Sequence, residues 1–166
     1  ATRKLEIEWT EEQVTLGTAS TFQMLFNRSD DSANGIGGLI GFTSVNFSIK
    51  GKQGFNPVLK NVNVYGSMST SKKGRVGALV GFVSNGSNTE PYAIQNISVM
   101  DCNIGKSTDY DDNAGGIVGT WYSTGTISLE NCTITGTTLK SRTSGGVLGY
   151  GSRGKEKKKN IQLSNI

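Results

Sequence analysis

Apolar and polar residues alternate along this chain in short stretches that break and resume. In ISLENCTI at 127–134 the apolar positions are Ile127, Leu129, Cys132 and Ile134, with a change of phase around Asn131. Alternation on both sides of a phase change predicts a strand, a bend and a second strand. Three other blocks share the pattern: PVLKNVNV at 57–64, ISVMDCNI at 97–104 and IQLSNI at 161–166. A different block precedes each of them. It reads GGLIG at 37–41, GALVG at 77–81, GGIVG at 115–119 and GGVLG at 145–149. An apolar pair bounded by glycines predicts a strand too short to stand without neighbours, at a place where the backbone is closely approached.

The spacing of the blocks turns the pattern into a fold. From Asn61 to Gly77 is 16 residues, and from Asp101 to Gly115 and from Asn131 to Gly145 is 14 each. On this alignment the length variation falls in one loop per repeat, as a stacked scaffold tolerates. A unit with a few short strands cannot bury its apolar side alone, whereas stacked copies share one core. The expected fold is all-β, a right-handed parallel β-helix of about four coils. The coils are expected at 34–73, 74–112, 113–144 and 145–166, and the handedness follows from the crossover rule for parallel strands. Residues 1–33 lack the blocks and read as an atypical N-terminal cap or linking segment. Within it LEIEW reads as a strand, and STFQMLFN, with Ser20 and Gln23 spaced as in a capping box, reads as a short helix around 20–27. The last block stops within a coil, which leaves an open edge for further chain or for another copy of the protein.

The doublet of a GGLIG-type block and an N-C-x-I-type block resembles the GLUG-motif repeats of large surface and secreted proteins, over residues 34–166. Ala78 stands where that pattern has a second glycine, and the first loop, 42–56, is long. The resemblance implies a β-helical stalk or adhesin-like region within a longer chain, on the cell surface or outside the cell.

Composition narrows the chemistry. The chain has 166 residues and no histidine. That removes imidazole acid–base catalysis, histidine-dependent nucleophiles and imidazole metal sites. No apolar run approaches the roughly 18 residues of a membrane span. The net charge of +4 is matched by the cluster Arg153, Lys155, Lys157, Lys158 and Lys159 less Glu156. The remainder is near neutral, and no general nucleic-acid face is expected.

Candidate residues follow from the repeat. Asn61, Asp101, Asn131 and Asn165 share one repeat position and are expected to stack as a ladder at a bend. Cys102 and Cys132 follow in adjacent copies and are expected as stacked core thiols, with an inter-coil disulfide as the alternative. N-x-S/T sequons occur at Asn27, Asn46, Asn85, Asn96 and Asn131; Asn46 and Asn85 are the expected glycosylation sites if the chain is secreted. Asp109, Asp111 and Asp112 supply oxygens but lack the spacing of a calcium loop. Phe42, Phe82, Trp121, Tyr122 and Tyr150 follow the glycine blocks. With Lys155 and Lys157 they are candidate ligand-facing positions, the alternative being rings that wedge a bend.

These features point to a non-catalytic structural or adhesive module of a surface or extracellular protein, without cofactor or metal. Its variable loops would meet a glycan or protein partner. A self-assembling filament subunit, joined through the open coil end, is the alternative. A polysaccharide lyase or hydrolase is disfavoured, because no Asp or Glu recurs on the repeat and only Asp111 and Asp112 form a close pair within it.

Overall fold

The computed structural model describes residues 4–8, 15–16, 23–27, 35–52, 58–60, 63–67, 74–84, 91–105, 111–151 and 161–166. Among them the protein is all-β, with no helix. Its strands fall into tiers of five. The first tier is β1 (Lys4–Glu8), β2 (Thr15–Leu16), β3 (Gln23–Asn27), β4 (Gly35–Gly37) and β5 (Ile40–Thr43). The second is β6 (Asn46–Lys50), β7 (Val58–Lys60), β8 (Asn63–Ser67), β9 (Gly74–Gly77) and β10 (Val80–Ser84). The third is β11 (Tyr92–Gln95), β12 (Ser98–Met100), β13 (Asn103–Ile104), β14 (Asp111–Gly115) and β15 (Val118–Tyr122). The fourth is β16 (Ile127–Glu130), β17 (Thr133–Thr135), β18 (Thr138–Leu139), β19 (Thr143–Gly145) and β20 (Leu148–Gly151), and β21 (Ile161–Ser164) opens a fifth.

Every strand pairs in parallel with the strand five places along, which gives five sheets. The first sheet is β1-β6-β11-β16-β21; the others begin at β2, β3, β4 and β5 and hold four strands each. Equivalent side chains therefore form rows across the tiers. Ile7, Ile49, Ile94, Leu129 and Leu163 make one such row in the first sheet. Its middle members, Ile49, Ile94 and Leu129, are buried, while Leu163 on β21 is 53% exposed. Phe47, Tyr92 and Trp121 meet inside at ring distances of 5.2 and 4.5 Å. The core is thus a stack of layers, and each residue is buried by the tiers on either side of it as well as by its own.

The glycine blocks stack as their spacing predicts. Gly37, Gly77, Gly115 and Gly145 fall in one row, as do Ile40, Val80, Val118 and Leu148. The chain doubles back sharply between these rows. A Cβ on Gly77 would lie 2.6 Å from the amide nitrogen of Gly119 and would collide with the Val80 carbonyl oxygen. The first glycine of each other block meets the equivalent carbonyl, of Ile40, Val118 or Leu148. Only a residue without a side chain lets the backbone of one sheet approach the next so closely. The arch is also bonded from tier to tier: Leu39, Leu79 and Ile117 donate their N–H groups to Leu79, Ile117 and Val147 at 3.0, 3.1 and 3.1 Å.

Two expectations for the N-terminal segment are corrected. The helix expected around 20–27 is absent: Gln23–Asn27 is a strand that pairs in parallel with β8. The segment 1–33, expected as an atypical N-terminal cap or linking segment without the repeat, carries β1, β2 and β3, which pair with β6, β7 and β8. Inter-tier hydrogen bonding overrides the local capping signal, because β8 supplies a partner for every residue of Gln23–Asn27.

Candidate functional site

Two features carry polar or exposed chemistry: the bends between sheets and the aromatic face of the fifth sheet. The first bend joins the first sheet to the second. Its row is Gly51, Asn96, Asn131 and Asn165, fixed by N–H bonds from Gly51 to Gln95, from Asn96 to Glu130 and from Asn131 to Ser164. All three asparagines are left-handed, with φ of 56°, 51° and 52°. Asparagine is among the few side-chain-bearing residues that adopt this region readily. Their amides then bond in series. Asn165 Nδ2 donates to Asn131 Oδ1 at 2.9 Å, Asn131 Nδ2 to Asn96 Oδ1 at 3.1 Å, and Asn96 Nδ2 to the Gly51 carbonyl at 3.0 Å. Beside this ladder Gln95 Nε2 donates to Glu130 Oε2 at 2.8 Å. Gln95, Asn96, Glu130 and Asn131 line a shallow polar recess.

The expected ladder of Asn61, Asp101, Asn131 and Asn165 is therefore two rows. Asn131 and Asn165 belong to the first bend. Asp101 belongs to the second bend, between the second and third sheets, opposite Gly136, whose neighbour Thr135 accepts the Asp101 N–H at 2.9 Å. Asn61 lies outside the described residues. Asn96 was missed, although YAIQN carries the alternation that marks it. The third and fourth tiers each hold two left-handed bends, and the spacing matched the second bend of the third tier to the first bend of the fourth.

The same slip separates the cysteines. Cys132 follows Asn131 and lies level with Ile97, whereas Cys102 follows Asp101 and lies level with Thr137. Both are buried thiols outside any disulfide, so neither the stacked pair nor the inter-coil bond forms. Burial pushes the Cys132 thiol above its ordinary range, and its hydrogen bonds with the Ile97 and Glu130 backbone oppose that shift. Burial likewise raises Tyr92, whose hydroxyl accepts a bond from Ser123 Oγ at 3.1 Å.

Asn46 is fully buried at the start of β6. An oligosaccharyl group cannot reach a side chain without solvent access, so the folded chain offers no glycosylation site there. Asn85, Lys155, Lys157 and Asp109 lie outside the described residues. Asp111 and Asp112 begin β14 rather than a loop. Among the described residues no three His, Cys, Asp or Glu side chains come together in a metal-binding arrangement. No helix among them is long and apolar enough to cross a membrane.

The aromatic residues divide. Trp121 is fully buried against Tyr92 and does not face a ligand. Phe42, Phe82, Tyr122 and Tyr150 form a continuous file of rings, with centroids 5.4, 5.2 and 6.0 Å apart. Phe42 and Tyr150 are 45% and 40% exposed, while Phe82 is only 8% exposed. Arg75 of β9 lies across the centre of the file, its guanidinium carbon 4.2 Å from the Phe82 ring centre and 5.3 Å from that of Tyr122. Sequence reading missed Arg75, since nothing local marks a residue that becomes significant only when two tiers meet.

No family model matches the chain, and no curated protein or solved structure matches it.

Proposed function

We propose that the five sheets close into a right-handed parallel β-helix, and that the chain is a non-catalytic structural or adhesive module of a surface or extracellular protein, akin to the GLUG-motif repeats. The observation that carries this reading is the unbroken five-strand offset. Each strand finds its partners only in neighbouring tiers, and a fold built this way lends itself to extended binding surfaces. The polar bends support it as well, since the asparagine amides bond to each other and to backbone and leave no converging acid and base. The absence of histidine from the chain and the exposed rings on one face favour contact over chemistry. The test is incubation with glycan and protein arrays, combined with assays for new reducing ends and for unsaturated-sugar absorbance. Retention without turnover is the expected result. Turnover of any polysaccharide, or retention on none of the surfaces, overturns the reading.

A second reading is self-association through β21. Its Ile161 and Leu163 are 44% and 53% exposed, and among the described strands only β16 pairs with it. An open, apolar strand edge is a template for another strand. Sedimentation across a range of concentrations tests this: assemblies that disappear with Leu163→Pro support it, and a concentration-independent monomer rejects it.

A further inference from the structure

We propose that the aromatic file on the fifth sheet, centred on Arg75, binds an acidic polysaccharide whose sugar units carry carboxylates. This rests on the reading of the chain as a contact module and names the ligand class. The first observation is the state of Arg75. Among the described residues its guanidinium makes ring contacts and no ion pair. Ring faces accept no conventional hydrogen bond from a guanidinium, whose N–H donors match a carboxylate in a bidentate pair.

The second observation is what flanks it. Phe42 in the first tier and Tyr150 in the fourth are the exposed ends of the file. They stand three tiers apart, about 14 Å at the usual strand spacing. A linear polymer crossing the tiers meets Phe42, then Arg75, then Tyr150. Sugar rings present apolar C–H faces that rest on aromatic rings, while a carboxylate on an intervening unit reaches the guanidinium. Thr120 lies in the same row as Phe42, Phe82 and Tyr150 but is fully buried, so the rings and Arg75 alone face the polymer.

Other polymers fit less well. An extended peptide gains its affinity by adding to a sheet edge, but β10 and β15 are paired on both sides. A nucleic acid needs several phosphate contacts for affinity, and among the described residues Arg75 is the one cation set against these rings.

The test uses polygalacturonate oligosaccharides as the probe, with neutral cello-oligosaccharides and polyglutamate as comparisons, read by calorimetry. Polygalacturonate is expected to bind, and to bind more weakly as salt is raised. Arg75→Gln is expected to weaken it about tenfold, the scale of one charge-assisted bond. Arg75→Lys retains part of the affinity, because it keeps the charge and loses the fork. Tyr150→Ser, at an exposed ring with little bearing on the core, is expected to weaken binding severalfold with an unchanged urea midpoint, and so separates ligand contact from folding. The proposal is overturned if polygalacturonate does not bind. It is equally overturned if neutral oligosaccharide or polyglutamate binds as tightly, or if folded Arg75→Gln binds undiminished. Polysaccharide turnover would instead reject the non-catalytic reading itself.

Discussion

The two bends described in the third and fourth tiers share one left-handed backbone geometry and differ in what they build. At the first bend, Asn96, Asn131 and Asn165 hold φ of 56°, 51° and 52°; at the second, Asp101 and Gly136 hold 52° and 58°. A buried cysteine follows one member of each row, Asn131 in the first and Asp101 in the second, and its Sγ donates to the carbonyl two residues before it, Cys132 to Glu130 at 3.4 Å and Cys102 to Met100 at 3.1 Å. Yet among the described residues only the first bend carries a side-chain ladder. An asparagine amide both donates and accepts, so a row of them bonds in series. An ionised aspartate accepts only, and glycine offers nothing. Backbone geometry thus decides which residue types are admitted to a bend, and hydrogen-bond capacity decides whether they link the tiers.

The contrast can be broken by substitution, with urea unfolding as the readout. The largest effect is expected from Asn131→Ala, which loses both left-handed tolerance and two ladder bonds, at about 3 kcal/mol. Next is Gly136→Ala in the second bend, at about 2 kcal/mol for a Cβ in the left-handed region. That Cβ would collide with Asp101 Oδ1, so the cost is expected to shrink when Asp101→Gly is combined with it; an additive pair would show that the contact is irrelevant. Asn131→Gly keeps the conformation and loses only the ladder, at about 1 kcal/mol. Asp101→Gly, with no ladder to lose, is expected to fall within about 0.5 kcal/mol of the parent. If Asn131→Gly and Asp101→Gly cost the same, the ladder contributes nothing to stability.

The smallest effect concerns pH. Burial raises the Cys132 thiol, so the folded state holds its proton where the unfolded chain releases it. That contribution is complete below the ordinary thiol value, about 8.5, and is lost as pH rises from there through the raised folded value. Cys132→Ala is expected to flatten the alkaline fall in stability, and an unchanged slope would exclude this thiol as a source.

Parts of the molecule were legible because residue identity itself carried the constraint. Gly77 and Gly115 announce themselves, since a Cβ at either position meets a carbonyl and no other residue can stand there. The alternation in ISLE likewise marks β16 wherever it is placed. The adjacent pair Trp121 and Tyr122 was different. Both follow the same glycine block, but one is sealed against Tyr92 and the other joins the exposed file. Two neighbouring aromatics signal a strand without saying which of its faces will be covered. At Gln23–Asn27 a local capping pattern competed with strand pairing and lost, because the partner strand β8 lies far along the chain.

By itself, the sequence determined that glycine-bounded blocks recur, that strands and bends alternate, and that Asp101, Asn131 and Asn165 sit at bends. Tertiary structure alone decided which bend stands above which, and so made Asn96 rather than Asp101 the neighbour of Asn131. The physical reason is one of range. A left-handed turn asks only for a residue that tolerates positive φ, a local demand met equally at both bends. Membership of a row is fixed by hydrogen bonds between tiers, such as Asn96 to Glu130 and Asp101 to Thr135, whose partners lie more than 30 residues apart.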